Sequence, residues 1–277
     1  MVGILINKPL FLIALLGLSC LSCKKEVIED PVVPIRGTRI TKIIAHRGYW
    51  ATEGSFENSI TAITKAIQLG ADGVEFDIRR TKDDSVIVNH DPKYSGYQIA
   101  TTDYLTLSSI RLPNGDKLPT LREVLRIVQD SPDLILFIEL KTFDVAEPLI
   151  RVLKEEKPSN PVIFISFSKE ACLRMIEEDP SFRVELLKDS GDPENASDLK
   201  SAGFYGLAYS LGFYNKHNSL INEALTNGLS LSSWVVDSKK DYSRLFDQGF
   251  TYVISDKPGA LIAESLSNQR YWRQVYY

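Results

Sequence analysis

From residue 40 onwards, short apolar stretches alternate along the chain with stretches whose apolar residues recur at helical spacing. Several of the apolar stretches, such as LILFIEL and VIFISF, are apolar almost throughout, as in strands that are covered on both faces. The pattern predicts strands over residues 40–48, 73–80, 86–91, 134–141, 162–167, 184–187, 206–209, 229–236 and 252–255. It predicts helices over residues 56–69, with Ser55 as the cap, and over 121–129, 145–156, 169–178, 195–201, 219–227 and 239–247. Strands that alternate with helices indicate a parallel sheet.

The number of strand–helix units indicates how this sheet closes. Eight or so units in about 225 residues predict an α/β fold, the TIM (β/α)8 barrel, rather than a doubly wound sheet. No Gly-x-Gly-x-x-Gly turn is present to favour a dinucleotide site. Residues 73–80 and 86–91 are separated only by TKDDS, which is too short for a crossover helix. We therefore expect these two segments to form an antiparallel hairpin.

The N-terminus has a different pattern. Residues 9–23 (PLFLIALLGLSCLSC) are almost unbroken in their apolar character and follow Lys8. A run of about 14 apolar residues is short for a transmembrane helix and typical of a secretion signal. Its end resembles the lipobox of bacterial lipoproteins, in which a Cys is acylated before the signal is removed. Cys23 is the favoured lipidation site because the charged Lys24 follows it, and Cys20 is the alternative.

These boundaries predict four segments: a lipoprotein signal peptide over residues 1–22, a tether over 23–39, a barrel over 40–265 and a tail over 266–277. Cleavage after residue 22 of 277 leaves 255 residues, the length of one barrel. The expected location is a membrane-anchored lipoprotein of the bacterial cell envelope, on the periplasmic or outer-membrane face. The lipid bilayer is then a partner through the N-terminal anchor.

Composition excludes several other classes of protein. With 44% hydrophobic and 25% charged residues, the chain is neither disordered nor a small disulfide scaffold. The 32 Lys and Arg against 36 Asp and Glu give a net charge of −4 without a basic cluster, so nucleic acid is not an expected partner. Cys172 falls in a predicted helix and is expected to be buried rather than paired.

In a barrel, chemistry collects where the strands end at their carboxyl side. Glu75 and Asp77 are two apart in a strand and so project from the same face, and Glu139 lies near the end of another strand. Three carboxylates without a thiolate suit one hard cation, Mg²⁺ or Ca²⁺. The competing interpretation is three salt-bridged acids, with Arg79 or Lys141 as partners.

Two of the three histidines, His46 and His90, also follow predicted strands. Their ordinary pKa of about 6.5 would let one act as base and the other as acid near neutrality. His217 lies in a loop with no acidic motif beside it and is expected to be structural. Arg47 and Lys141 add positive charge that can bind a phosphate. The set predicts a site for an anionic phosphoryl transition state.

Longer motifs carry a family resemblance. The strings IIAHRGYWATEGSFENS and GADGVEFDIRRTKDDSVIVNHD resemble the glycerophosphodiester phosphodiesterase family. Later segments of the chain also match the family: PTL at residues 119–121 before a predicted helix, IELK at 138–141, Trp234, and ISDKP at 254–258. The similarity runs from about residue 40 to residue 258.

The resemblance implies a phosphodiesterase-type TIM barrel that hydrolyses glycerophosphodiesters to glycerol 3-phosphate and an alcohol. By the same resemblance, His46 and His90 would be the acid/base pair. The metal ligands would be Glu75, Asp77 and Glu139, the phosphate would be bound by Arg47 and Lys141, and the glycerol pocket would be walled by Trp234. Glu57 would orient its neighbours from behind the site, and Asn58 would begin the next helix.

Two features depart from the family pattern or vary within it. Residues 234–237 read WVVD where the family usually has Trp-Thr-Val-Asn. The family's insertion after the hairpin, here residues 92–118, is short and is expected to overhang the site.

Three other functions stay open at this stage. They are a related phosphodiesterase of phosphoinositides or sphingolipids, a barrel glycosidase that uses Glu75 and Glu139, and a surface lipoprotein that only binds ligands. The sequence leaves the alcohol group, the choice between Mg²⁺ and Ca²⁺ and the oligomeric state open.

Overall fold

The computed structural model describes residues 41–266, and the strands in this part form a closed parallel barrel. In chain order the strands are β1 (Lys42–Ala45), β2 (Gly73–Arg80), β3 (Val86–Val88), β4 (Lys93–Tyr94), β5 (Tyr97–Gln98), β6 (Ile135–Leu140), β7 (Val162–Ser166), β8 (Arg183–Lys188), β9 (Gly206–Ser210), β10 (Ser230–Trp234) and β11 (Tyr252–Ser255). The helices are α1 (Ile60–Leu69), α2 (Tyr104–Ser108), α3 (Leu121–Val128), α4 (Ala146–Glu156), α5 (Lys169–Glu178), α6 (Ala196–Ser201), α7 (Leu211–Lys216), α8 (Ser219–Thr226) and α9 (Lys239–Asp247). Residues 258–266 are also helical.

Closure depends on β1, which pairs in parallel with β2 on one side and with β11 on the other. The barrel strands follow in the order β1, β2, β6, β7, β8, β9, β10 and β11. The short strand β3 pairs antiparallel with β2, with Arg80 opposite Val86. The predicted TIM (β/α)8 barrel and its hairpin are therefore confirmed.

Alternation along the strands divides the apolar residues between two cores. Inward-facing side chains from six of the barrel strands form an interior cluster: Ile44, Ile135, Phe137, Ile163, Ile165, Leu187, Ala208, Tyr252 and Ile254. The outward-facing residues pack against the helices in a larger cluster. Because both faces are covered, β6 is buried along its whole length, which explains its apolar sequence.

Glu185 is a polar exception in the barrel interior. It lies on β8, on the same face as Leu187, and is fully buried. The hydroxyl of Ser232 donates a hydrogen bond to Glu185 Oε2. Burial raises the pKa of Glu185 to about 7, because the hydrogen bonds from Ser232 and Ser230 only partly offset the cost of desolvating a charge.

Short polar side chains begin most of the helices, as expected of N-caps. Ser59 accepts a hydrogen bond from Ala62 N at the start of α1, and Thr120 forms a capping box with Glu123 at the start of α3. The predicted start of the first helix, at Phe56 with Ser55 as cap, was wrong. Ser55 instead donates to the carbonyl of Tyr49, and the helix begins four residues later, at Ile60.

The segment after the hairpin contains elements that were not predicted from the sequence. It contains the β4–β5 hairpin and α2, and buried side chains from it form a separate small cluster with Ile87: Tyr94, Ile99, Leu107, Leu112 and Leu118. A second unpredicted helix, α7, follows β9. Cys172 is buried in α5, as expected.

Three predicted segments lie outside the described residues. They are the signal peptide over residues 1–22 with Cys20, the tether over residues 23–39 with Cys23 at its start, and the tail beyond residue 266. Within residues 41–266, no helix combines the length and the apolar character needed to cross a membrane.

Candidate active site

The carboxyl ends of the barrel strands surround a cavity of about 250 Å³. One part of its wall is polar and contains predicted site residues: His46, Arg47, Glu75, His90, Glu139 and Lys141. The rest of its wall is apolar: Ile165, Phe167, Leu187, Trp234, Val235 and Ile254. No residue of the segment over residues 92–118 is among the residues that line this cavity.

Three carboxylates converge beside the cavity. Glu75 and Asp77 point inward from β2, and Glu139 points inward from β6, where it pairs in register with Asp77. All three are buried, and one oxygen atom from each lies within 4.8 Å of the others. Burial, together with the charges of Asp77 and Glu139, raises the pKa of Glu75 well above its ordinary value. Burial and the charge of Asp77 raise the pKa of Glu139 to about 7.

Asp77 differs from its two neighbours. Burial alone would raise its pKa, but the charges of Lys141 and Arg47 and a hydrogen bond from Asn58 outweigh burial and lower it. The Nδ2 atom of Asn58 donates to Asp77 Oδ2 at 2.7 Å, and Asp77 N donates to Asn58 Oδ1 at 3.1 Å. Asp77 is thus the member of the three that stays ionised most readily.

Two cationic side chains reach the acidic group. Lys141 Nζ lies 2.7 Å from Glu139 Oε1 and 3.3 Å from Asp77 Oδ1. The main-chain N–H of Arg47 donates to Glu75 Oε2 at 2.8 Å, and its Nε atom lies 3.6 Å from Asp77 Oδ2. The guanidinium of Arg47 also pairs with Glu57. Glu57 pairs with Arg47 in this way but does not itself line the cavity.

The donor set fits a divalent cation. Three buried carboxylates within 4.8 Å repel one another, and this repulsion adds to the larger effect of burial in raising the pKa values of Glu75 and Glu139. A hard cation bound between the oxygens would relieve it, and Mg²⁺ and Ca²⁺ prefer such oxygen ligands. Glu75, Asp77 and Glu139 are the residues that could hold the ion.

Each of the two cavity histidines presents its Nδ1 atom to a carboxylate. His46 Nδ1 lies 2.7 Å from Asp256 Oδ1, which leaves Nε2 3.9 Å from Glu75 Oε2. His90 Nδ1 lies 2.9 Å from Asp91 Oδ1. In both rings Nδ1 is the atom that faces the carboxylate, so proton transfer by either ring would use Nε2. His217 does not line the cavity, and its ring packs against Phe213 with the centroids 4.4 Å apart.

The turn after β1 has an unusual backbone. Arg47 and Asn58 adopt left-handed φ angles of 54° and 58°, which are uncommon without glycine. Gly48 has φ 78°, and a Cβ atom there would lie 2.7 Å from the main chain of Ala62. Left-handed residues of this kind cluster at functional sites, where the surrounding contacts maintain them. Here they present the Arg47 N–H to Glu75 and the Asn58 amide to Asp77. Asn58 precedes the helix rather than beginning it.

Aromatic rings dominate the apolar side of the cavity. Trp234 ends β10, and its Nε1 atom donates to the carbonyl of Ala208 at 2.7 Å, which fixes the indole. Phe167 meets it edge to face with ring centroids 5.7 Å apart. Trp234 therefore forms part of the wall, next to a Phe167 ring that is half exposed.

Sequence reasoning missed the partner of His46. Asp256 directly follows β11 and accepts hydrogen bonds from His46 and from Trp50 Nε1. It lies at the end of a strand, so the rule that identified Glu139 also applied to Asp256. The two hydrogen bonds between Asn58 and Asp77 could not be predicted by any such rule, because they depend on the left-handed turn.

Comparison with known proteins agrees with this geometry. The sequence model of the glycerophosphoryl diester phosphodiesterase family matches residues 46–260. A glycerophosphodiester phosphodiesterase of Caldanaerobacter subterraneus subsp. tengcongensis is 31% identical over 244 residues, which cover 80% of this chain and 96% of that protein.

Solved structures also match the barrel. A glycerophosphodiester phosphodiesterase of Parabacteroides distasonis has a TM-score of 0.77 and 32% identity, and the match covers 82% of this chain and 98% of that one. An Oleispira antarctica phosphodiesterase, solved with the product sn-glycerol-3-phosphate, shares the fold at a TM-score of 0.74 and 20% identity, over 81% and 96% of the two chains. The family match spans most of the chain, and the first two relatives are more than 30% identical. The chain therefore belongs to the glycerophosphoryl diester phosphodiesterase family.

Proposed function

We propose that this chain hydrolyses glycerophosphodiesters to glycerol 3-phosphate and an alcohol, with one divalent cation and with His46 and His90 as the proton-transfer pair. The observation that carries the proposal is the wall of one cavity, which combines both histidines with Glu75 and Glu139 of the acidic cluster and with Arg47 and Lys141. The relative from Oleispira antarctica, solved with sn-glycerol-3-phosphate, supports the choice of product.

Each side chain has a part in the proposed reaction. A bound Mg²⁺ or Ca²⁺ would supply Lewis-acid stabilisation of the phosphoryl oxygens. Arg47 and Lys141 add positive charge at the same anion. One histidine accepts the proton of the nucleophile as its oxygen bonds to phosphorus, and the other gives a proton to the leaving alkoxide as that P–O bond breaks. The nucleophile is either water or a hydroxyl of the glycerol, and a cyclic phosphate product would identify the second route.

The experiment is hydrolysis of glycerophosphocholine and glycerophosphoethanolamine, with and without Mg²⁺ or Ca²⁺. We expect release of glycerol 3-phosphate that depends on the cation and that is lost in Asp77→Asn. Absence of glycerol 3-phosphate from both substrates would refute the proposed activity. A parallel panel of phosphoinositides and sphingolipids decides between this activity and the related lipid phosphodiesterases.

A barrel glycosidase is no longer a competing proposal. Its carboxylate pair would need neither a third acid nor two histidines, and the chain belongs to a phosphodiesterase family. A glycosidase would also be insensitive to EDTA, whereas we expect EDTA to abolish activity here.

We further propose that the protein is exported and anchored in the bacterial cell envelope through lipidated Cys23. The apolar run before Cys23 and the charged residues after it support this. Cells that express the full chain with radiolabelled palmitate should yield a labelled protein in the membrane fraction. Cys23→Ala should remove the label, and Cys20→Ala should retain it. The opposite result would assign the lipid to Cys20, and absence of label from all three would exclude the anchor.

A further inference from the structure

A carboxylate at the end of β11 has no part in the reaction proposed above. The Oδ1 atom of Asp256 is 2.7 Å from His46 Nδ1 and accepts from Trp50 Nε1 at 2.9 Å. Burial alone would raise the pKa of Asp256, but the hydrogen bonds from His46 and Trp50 and the nearby positive charge lower it. Asp256 is therefore ionised and can only accept hydrogen bonds.

The position of Asp256 is itself fixed by a second carboxylate. Asp237 Oδ1 accepts from Asp256 N at 2.9 Å and from the hydroxyl of Ser255 at 3.0 Å. The same hydroxyl accepts from Lys257 N at 2.9 Å. The loop after β10 is thus hydrogen-bonded to the turn after β11. These hydrogen bonds fix the position of Asp256 next to His46.

We propose that Asp256 is a positioning residue that holds His46 as the Nδ1–H tautomer, with Nε2 directed toward the acidic cluster, and that Asp237 supports it. An acceptor-only partner requires that Nδ1 carry the hydrogen, so in the neutral ring the lone pair is on Nε2. His46 Nε2 lies 3.9 Å from Glu75 Oε2, so this nitrogen is at the cavity. The assignment rests on the proposed function, in which His46 transfers a proton.

The surroundings of His90 provide the internal comparison. Its carboxylate partner, Asp91, has a side chain that is 75% exposed, against 26% for Asp256. An exposed pair is screened by water and holds its geometry weakly. Arg79 restrains His90 instead through the main chain, with hydrogen bonds of 2.7 and 2.9 Å to the His90 carbonyl. The two histidines are thus positioned by different means, and only His46 depends on a half-buried carboxylate.

The first readout is the tautomer of His46. The chain has three histidines, so long-range proton–nitrogen spectra of the full protein, labelled with ¹⁵N-histidine and recorded at alkaline pH, can be assigned by single replacements. We expect the wild type to show His46 protonated at Nδ1 and Asp256→Asn to show the Nε2–H form or a mixture. Asp91→Asn should leave the His46 nitrogen signals unchanged.

The second readout is kinetic. Asp256→Asn should lower kcat by about 10- to 100-fold with KM within about twofold, because only proton transfer is affected. Asp237→Ala should give a smaller loss in the same direction, and it also tests the proposal if Asp256→Asn fails to fold. An Nδ1–H His46 that persists in a folded Asp256→Asn, or a kcat within twofold of wild type, overturns the proposal.

The two readouts separate this proposal from the one on which it rests. If the wild type releases no glycerol 3-phosphate, the proposed function fails, yet the spectra still decide whether Asp256 sets the tautomer. If glycerol 3-phosphate is released and His46→Ala is fully active, the role of His46 in proton transfer fails, and the positioning role of Asp256 fails with it.

Discussion

His46 and His90 contribute the same chemical group from different surroundings. His46 is the more buried, and a half-buried carboxylate holds it, whereas His90 and Asp91 are open to solvent. Their place at the cavity could be predicted from the sequence, because His46 directly follows β1 and His90 lies two residues after the hairpin strand β3. The carboxylate that holds the His46 ring could not be predicted in this way, since His46 and Asp256 are 210 residues apart in the sequence.

Replacement of either histidine tests the pair directly. His46→Ala or His90→Ala should lower kcat by at least about 100-fold, because each change removes one of the two proposed proton-transfer groups. His217→Ala is the matched control and should keep kcat near wild type, since His217 does not line the cavity. Steady-state hydrolysis of glycerophosphocholine measures all three. Full activity in both cavity variants would remove the histidines from the mechanism.

The buried Glu185 carboxyl should affect the pH dependence of the free energy of unfolding rather than the activity. Its pKa in the folded protein is about 7, above the ordinary value of 4.5, so the fold favours the protonated form. The free energy of unfolding is therefore unaffected by Glu185 below about pH 4.5 and decreases as the pH rises toward 7. Glu185→Gln should remove this penalty, with a gain of about 3 kcal/mol at pH 8 and little gain at pH 4.5.

Urea unfolding at both pH values measures the effect of Glu185→Gln. Glu170→Gln, an exposed change in the first turn of α5, is the control and should show no such pH dependence. An equal effect of Glu185→Gln at the two pH values would mean that Glu185 does not titrate between them.

At the scale of elements, the turn before α1 shows where sequence patterns fail. The sequence predicted a helix start at Phe56, because Ser55 could cap a helix there. In the structure Asn58 takes a left-handed conformation and gives its amide to Asp77, so the helix can begin only after Ser59. A contact with another strand overrides the local preference here, and no local pattern records it.

The long barrel strands could be predicted from the sequence, whereas the elements within residues 92–118 could not. Strand β6 was predictable because six consecutive buried residues leave a clear apolar run. Strands β4 and β5 have two residues each, which is too few to show an alternation. The order of this segment comes from its own small core, which depends on contacts with Ile87 of the barrel hairpin.

The cap of α1 gives a prediction for this element. Ser59→Ala should reduce the free energy of unfolding by about 1 kcal/mol, because it removes the acceptor for Ala62 N. Ser219→Ala, an exposed position in the first turn of α8, should change it by less than about 0.5 kcal/mol. Denaturant midpoints compare the two variants. Equal losses would show that the Ser59 cap contributes nothing beyond an exposed surface serine.

For the whole molecule, the acidic cluster predicts that a cation stabilises the fold. A ligand present at 100 times its Kd adds about 2.7 kcal/mol, which raises the Tm of a domain of this size by roughly 5–10 °C. Thermal unfolding with and without Mg²⁺ or Ca²⁺, against NaCl at the same ionic strength, measures the shift. Asp77→Asn should abolish it. A Tm unaffected by either ion would argue against a cation site.

The same cation binding should depend on pH. Glu139 has a pKa of about 7 in the folded protein, and a protonated carboxyl does not bind a cation. The affinity should therefore fall as the pH decreases below about 7, as protons compete with the ion. Calorimetric titration at pH 6 and pH 8 tests this, and equal affinities would contradict it.

The closure of the barrel by β1 and β11 also sets an order of events during synthesis. Asp256 leaves the ribosome roughly 10–40 s after His46, because synthesis proceeds at about 5–20 residues per second. Until then β1 lacks the neighbour that β11 provides, and the nascent sheet has open edges that can pair with other chains. The strand that removes this aggregation hazard leads directly into the residue that holds His46. A chain truncated before residue 252 would therefore lose solubility and its catalytic geometry together.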